Sequence, residues 1–256
     1  MLARMRERRE SWWKEAGLSN SAEPNGGHAD RTARLLSTLL PRECFLCVAP
    51  SGRDFLCPAC FENLPRLTAE CCPVCALPTP SAMVCGACLR KPPGFDATRA
   101  LFRYEFPVDR LVQSLKYAHR LAAAAFLGGV LARHRPASAP DMLLPVPLAP
   151  GRLAERGFNQ ALELARPLAR SCGAPLDIRH VRRHRDTTPQ ASLPWKERAK
   201  NIRHAFECDI DLAGMNVLVV DDVMTTGATL DELARTLKAH GANRVENRVL
   251  ARALKD

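Results

Sequence analysis

From residue 94 onward the chain alternates between two hydrophobic periods. Apolar residues recur at helical spacing over 107–117, where Leu111, Val112 and Leu115 share one face, and again over about 120–133, 159–170 and 229–240, the last closed by Gly241. Between them lie apolar runs of strand length at 97–104, 142–146, 216–220 and 244–250. The run at 216–220 is continuously apolar after Asn216, as expected of a strand buried on both faces. Strands alternating with helices predict a largely parallel sheet flanked by helices, an α/β domain.

Upstream the pattern breaks down. Residues 1–30 mix charge with turn formers and predict a flexible tail, with at most a short helix around Trp12 and Trp13. Residues 31–40 fit a short amphipathic helix closed by Pro41. Lys91-Pro92-Pro93-Gly94 reads as a linker. The expected organisation is a tail over 1–30, a cysteine-rich domain over 31–93 and the α/β domain over 94–256.

Composition narrows the class. The 256 residues are 46% hydrophobic and 25% charged, which suits a folded soluble chain. The longest apolar stretch, 121–132, falls short of the roughly 20 residues a membrane helix needs. The N-terminus is charged where a signal peptide places its apolar run. Both features predict a cytoplasmic chain with no membrane insertion. The net charge of +10 points to an anionic partner, either nucleic acid or a phosphorylated small molecule.

Nine of the eleven cysteines fall between positions 44 and 88. Cys44/Cys47, Cys57/Cys60, Cys72/Cys75 and Cys85/Cys88 form two C-x2-C-x9-C-x2-C units offset by 28 residues. Two CxxC turns supply four thiolates, the tetrahedral set that structural zinc prefers. Units this small bury little apolar area, so a metal must supply folding energy. Two closed zinc sites are expected, paired either sequentially or in a cross-braced arrangement. Cys71 adjoins Cys72 outside the repeat, and Cys172 and Cys208 read as small apolar residues.

The segment from Val217 to Thr229, VLVVDDVMTTGAT, carries the most chemistry. A buried strand runs into two carboxylates, Asp221 and Asp222, then into a Thr/Gly loop opening a helix. Ligands of open α/β sheets bind at this carboxyl edge. Thr225, Thr226, Gly227, Ala228 and Thr229 offer backbone amides, hydroxyls and a helix N-terminus to a phosphate. The acids are placed to accept from vicinal hydroxyls. Phosphate at one end and a diol at the other describe a ribose 5-phosphate; the plainer alternative is an Asp pair that merely caps the helix. No G-x-x-x-x-G-K-[ST], no G-x-G-x-x-G after a strand, and no Ser/His/Asp or Cys/His constellation is evident.

This segment resembles the phosphoribosyl pyrophosphate (PRPP) motif of type I phosphoribosyltransferases. Pro145-Val146-Pro147, Arg152 and Arg156-Gly157-Phe158-Asn159-Gln160 narrow the resemblance to the ComF family of competence or amidophosphoribosyltransferase-like proteins. Leu115-Lys116-Tyr117, the run Arg185, Thr187, Gln190, Leu193, Arg198, Asn201, Phe206 and the double cysteine ribbon are also similar. The resemblance implies a type I phosphoribosyltransferase-like parallel sheet with flanking helices, preceded by a double zinc ribbon holding two structural zinc ions. It implies Asp221 and Asp222 facing the ribose, and Thr225 to Thr229 on the 5-phosphate. Pro147, Arg152, Arg156 and Lys116 would serve the diphosphate, with magnesium accompanying PRPP, and Arg185, Thr187, Gln190 and Arg198 would lie on a flexible loop. A link to DNA uptake, with single-stranded DNA and DNA-uptake proteins as partners, follows from the family name.

Arg152 and Arg156 sit one helical turn apart and also fit a solvated helix face. Lys116 and His119 likewise fit either an anion site or an exposed helix. The basic stretch 179–203 sets eight Lys/Arg against Asp186 and Glu197. It suits a lid over the diphosphate, a nucleic-acid patch with Trp195 for stacking, or a solvated loop.

Overall fold

The cysteine segment has little apolar area, and its backbone elements are correspondingly short. The computed structural model describes residues 42–52, 54–117, 121–184 and 202–254. The tail expected at 1–30, the helix at 31–40, and His119 and Trp195 lie outside them. Two units divide the chain, one ending at Phe61 and one beginning at Glu62. In the first, β1 (Arg42–Glu43) pairs antiparallel with β2 (Pro50–Gly52), and α1 (Pro58–Glu62) follows. Phe45 and Phe55 stack with ring centroids 4.9 Å apart.

The second unit holds the other cysteine loop, α2 (Gly86–Arg90), and the α/β domain. The sheet contains β3 (Ala97–Arg103), β4 (Met142–Pro145), β7 (Asn216–Met224) and β8 (Arg244–Arg252), in the order β3-β8-β7-β4 with every pairing parallel. A separate antiparallel pair, β5 (Val181–Arg183) with β6 (Phe206–Cys208), brackets the basic stretch. The helices are α3 (Val108–Tyr117), α4 (Leu121–Ala132), α5 (Pro150–Arg156), α6 (Gln160–Cys172) and α7 (Ala228–Ala239). Leu164, Ala165 and Leu168 of α6 and Leu230, Leu233, Ala234 and Leu237 of α7 are buried at the period expected of core-facing helices.

Two elements outrun their apolar patterns. β7 continues through both acids to Met224, pairing Asp221 with Val249 and Val223 with Ala251. β8 continues to Arg252 and buries Arg248 and Arg252, charged residues that break a run of apolar positions. The segment beyond Val146 contains the short helix α5, started by Pro150 and closed by Gly157 at φ +73°.

Both outer strands are covered. Leu67 N–H donates to the Leu101 carbonyl and Arg103 N–H to that of Pro65, capping the β3 edge. Leu143 and Asp177 do the same on the β4 side, through Leu143 N–H to Pro175 and Asp177 N–H to Leu143. Such covering removes the open edge that invites association. Asp96 joins β3 to β8 and α7, accepting from Val245 N–H at 2.7 Å and pairing with Lys238 at 2.8 Å.

Helices α4 and α6 pack closely at Gly128, where an added Cβ would sit 2.9 Å from Pro167 Cγ and 3.3 Å from two α6 carbonyls. Gly129 faces open space. Gly128→Ala is expected to destabilise by about 1–3 kcal/mol through overpacking. Gly129→Ala is expected to stabilise by up to about 1 kcal/mol, since glycine is the poorer helix former. Thermal melts of the two single variants check this, and shifts of the same sign would contradict the packing described.

Candidate functional site

The parallel register brings the chemistry to one end of the sheet. Strand β7 delivers Asp221 and Asp222 there, and only Thr225, Thr226 and Gly227 separate it from α7. Successive strand residues point to alternate faces, and burial follows: Asp222 is 6% exposed while Asp221 is half-buried. Each carboxylate is oriented by the next amide, Asp221 Oδ1 accepting from Asp222 N–H at 2.9 Å and Asp222 Oδ1 from Val223 N–H at 2.8 Å.

The loop is shaped by its small residues. Gly227 has φ +81°, a backbone conformation that requires glycine, and a Cβ there would also displace the Met224 methyl 2.6 Å away. Thr226 Oγ1 accepts from Ala228 N–H at 3.1 Å, and Asp231 N–H closes the first helical turn on the Gly227 carbonyl at 2.8 Å. Gly227 provides α7 with no side-chain cap. Among the described residues, the amides of Thr225, Thr226, Gly227 and Thr229 have no protein acceptor. Uncapped amides at a helix N-terminus are suited to an anion.

The motif after β4 lies at the same sheet end. Val146 N–H donates to the Val220 carbonyl, which places Pro147 one residue beyond the ladder. Much of Arg156-Gly157-Phe158-Asn159-Gln160 is architectural. Gly157 ends α5; Asn159 Oδ1 caps α6 by accepting from Ala161 and Leu162 N–H, and its Nδ2 donates to the Val146 carbonyl at 3.0 Å. Arg152 pairs with Glu155 at 3.2 Å, and Arg156 is half-buried in the last turn of α5. Lys116 belongs to the last turn of α3, its side chain outside the described set. Arg185, Thr187, Gln190 and Arg198 also lie outside the described residues. The downstream root of their segment is held where His204 N–H donates to Glu232 Oε1 of α7 at 2.6 Å.

The cysteines gather sequentially, Cys44, Cys47, Cys57 and Cys60 in one tetrad and Cys72, Cys75, Cys85 and Cys88 in the other. Zn–S bonds of about 2.3 Å at tetrahedral angles separate sulfurs by roughly 3.8 Å. Cys47 and Cys57 Sγ are 3.7 Å apart and Cys75 and Cys85 Sγ 3.6 Å, so the donors fit the ion. The sequence repeat is also a backbone repeat: Val48 and Ala76, each following a CxxC turn, have φ +63° and +57°. Cys71 is outside the tetrad and donates to the Thr68 carbonyl. Cys172 and Cys208 are half-buried.

Each tetrad sets low-pKa thiols against high ones. Burial alone would raise Cys44 and Cys72, but the amides of Cys57, Cys47 and Leu46 bring the first down to about 6, and those of Cys85, Cys75 and Val74 the second to about 7. Hydrogen bonding with Cys47 and Cys57 pushes Cys60 up to about 12. Burial, with neighbouring sulfurs adding to it, pushes Cys75 up to about 11 and raises Cys88 further. Four crowded thiolates require a dication.

The most consequential residue that the sequence reading passed over is Arg252. At 3% exposed, its guanidinium donates to the carbonyls of Cys75 at 2.9 Å, Met224 at 3.0 Å, Ala253 at 2.7 Å, and Thr225. Burial pulls its pKa below the ordinary arginine value. An arginine at a strand end reads from sequence as solvated, and only the neighbouring ribbon shows otherwise.

Residues 35–89 match the double zinc ribbon domain and residues 154–256 the phosphoribosyl transferase domain. These define the class: a type I phosphoribosyltransferase fold carrying a double zinc ribbon. The DNA utilization protein YhgH of Salmonella typhimurium is 34% identical over 225 residues, covering 84% of this chain and 99% of that protein. Competence protein F of Haemophilus influenzae is 31% identical over 175 residues, covering 64% and 76%. Competence protein ComFC of Bacillus subtilis is 37% identical over 105 residues, 39% of each chain. The chain belongs to the ComF family. No helix among the described residues is long and apolar enough to cross a membrane.

Metal analysis is expected to find two zinc ions per chain, falling to about one in Cys44→Ser/Cys47→Ser. Raised thiols must lose protons to bind, so zinc affinity is expected to fall as pH falls, with even the lowered Cys44 thiol protonating below about 6. Competition titrations against a chromophoric chelator across pH check this; an affinity independent of pH would contradict the thiolate set.

Proposed function

We propose that the chain binds PRPP, or a closely similar ribose 5-phosphate, at the junction of β7 and α7. The observation that carries this reading is the row of amides at Thr225, Thr226, Gly227 and Thr229, uncapped by any described protein group and adjacent to two carboxylates. The amides and the hydroxyls of Thr225, Thr226 and Thr229 hold the 5-phosphate, with Ala228 and Gly227 permitting close approach. Asp221 and Asp222 accept from ribose hydroxyls and favour positive charge developing on the ring. Pro147 shapes the turn on which the diphosphate rests, and Arg152, Arg156 and Lys116 supply counter-charge, as do Arg185 and Arg198 beside Thr187 and Gln190. Magnesium is held mainly by ligand oxygens and water.

With an acceptor present, the bond between ribose C1 and the diphosphate oxygen breaks, diphosphate departs and the acceptor bonds to C1. The acids orient and stabilise in that step and form no covalent intermediate. The boundaries taken here are a tail to residue 30, a double ribbon to 93 and the ligand-binding domain beyond.

A role in DNA utilization or competence is supported by the names of the relatives. The charge of the 179–203 stretch favours single-stranded DNA as a second ligand. Thermal melts with PRPP and Mg²⁺ separate the two readings. At a hundredfold excess over Kd the ligand is expected to raise Tm by about 5–10 °C in the wild type and by nothing in Asp221→Asn/Asp222→Asn. Single-stranded DNA binding is expected to survive that double substitution and to weaken steeply with salt. An equal PRPP shift in both proteins would remove the sugar-phosphate reading.

A further inference from the structure

We infer that Arg252 is a positioning residue for the phosphate loop, and that through it the second zinc tetrad and the anion site are energetically coupled. The inference rests on the reading of Thr225–Thr229 as a phosphate site. A trans peptide unit is planar, with its C=O and N–H pointing in opposite directions. Arg252 holds the carbonyls of Met224 and Thr225, which begin the loop. Drawing those two carbonyls toward the guanidinium turns the amides of Thr225 and Thr226 away from it. Those amides are among the ones with no protein acceptor. Ala253 N–H shares the Met224 carbonyl at 3.0 Å, whereas no other described donor reaches that of Thr225, so Arg252 helps hold the first peptide plane and holds the second in the orientation an anion requires.

The guanidinium is itself held in place by the ribbon. Its Nε donates to the carbonyl of Cys75, a ligand of the second tetrad. The same ribbon and the linker after it are tied to the α/β domain at further points. Thr98 N–H of β3 donates to the Pro73 carbonyl at 3.1 Å, and Gly94 N–H donates to Asp231 Oδ1 of α7 at 2.6 Å. Gly94 lies so close to α7 that an added Cβ would come within 2.8 Å of Arg235 Cγ. A buried guanidinium is tolerated only where its donors are satisfied, and the Cys75 carbonyl is one of its four acceptors. Without zinc the four thiols no longer fix that carbonyl, and Arg252 loses its outer anchor. Coupling of this kind is reciprocal in free energy: zinc in the second tetrad strengthens anion binding, and an anion in the loop strengthens zinc binding.

The test uses the full, zinc-loaded chain with ribose 5-phosphate as probe. Calorimetric titration is expected to show affinity reduced about tenfold or more in Arg252→Ala, the scale of one lost charge-assisted hydrogen bond. Arg252→Lys should be intermediate, since an ammonium lacks the fork that reaches several carbonyls. In the wild type, chelator-driven zinc release should be biphasic, with saturating ribose 5-phosphate slowing one phase severalfold. That phase should be the one retained in Cys44→Ser/Cys47→Ser. A purely structural arginine would give no ligand-dependent zinc release. If the wild type binds the sugar phosphate but Arg252→Lys binds equally well and zinc release ignores the ligand, this inference fails while the phosphate site stands. If the wild type does not bind, both fall. Should Arg252→Ala not fold, the lysine variant and the wild-type release rates still decide.

Discussion

The long parallel ladder between β7 and β8 supports the rest of the molecule. It carries the apolar centre, Val217 to Val220 of β7 and Val245, Val249 and Leu250 of β8, and the same ladder takes in the charged Asp221, Asp222, Arg248 and Arg252. This brings charged groups into a buried sheet, where water is scarce and each group must be held by specific partners. The carboxylates are oriented by successive amides and Arg252 by four carbonyls. The loop that follows inherits its geometry from both, so the scaffold and the site share the same hydrogen bonds.

The ribbons solve a different problem. A segment with so few apolar residues gains too little from burial to fold alone, and crowded thiols resist ionising together. Zinc resolves both difficulties at once. The two tetrads repeat one backbone plan, including the left-handed residue after the first CxxC turn. Their settings differ: the second shares a unit with the sheet, covers the β3 edge from its upstream segment and reaches the Thr225–Gly227 loop through Cys75 and Arg252. A metal site of closed coordination thereby acquires a route to the chemistry without taking part in it.

How much of this was readable beforehand depended on whether the signal was local. Apolar period revealed the four sheet strands and four of the long helices, because each must bury a face. Cysteine spacing revealed the tetrads, and their sequential pairing needed only coordinates. The reach of β7 and β8 was hidden, since charged residues end an apolar run even where a ladder continues. Arg252 was hidden more deeply: its partners are backbone carbonyls distant in sequence, which no side-chain pattern encodes. Asn159 stood in a motif resembling a functional one, yet its visible work is to cap α6 and tie down Val146.

The central claim is that the amides after β7 receive the phosphoryl end of a ribose. Amide chemical shifts of the isotopically labelled, zinc-loaded protein, recorded as ribose 5-phosphate is added, address it most directly. The largest movements are expected at Thr226, Gly227 and Thr229, saturating together, with ribose alone producing none. Saturable binding that leaves these amides still while shifting residues elsewhere would contradict it.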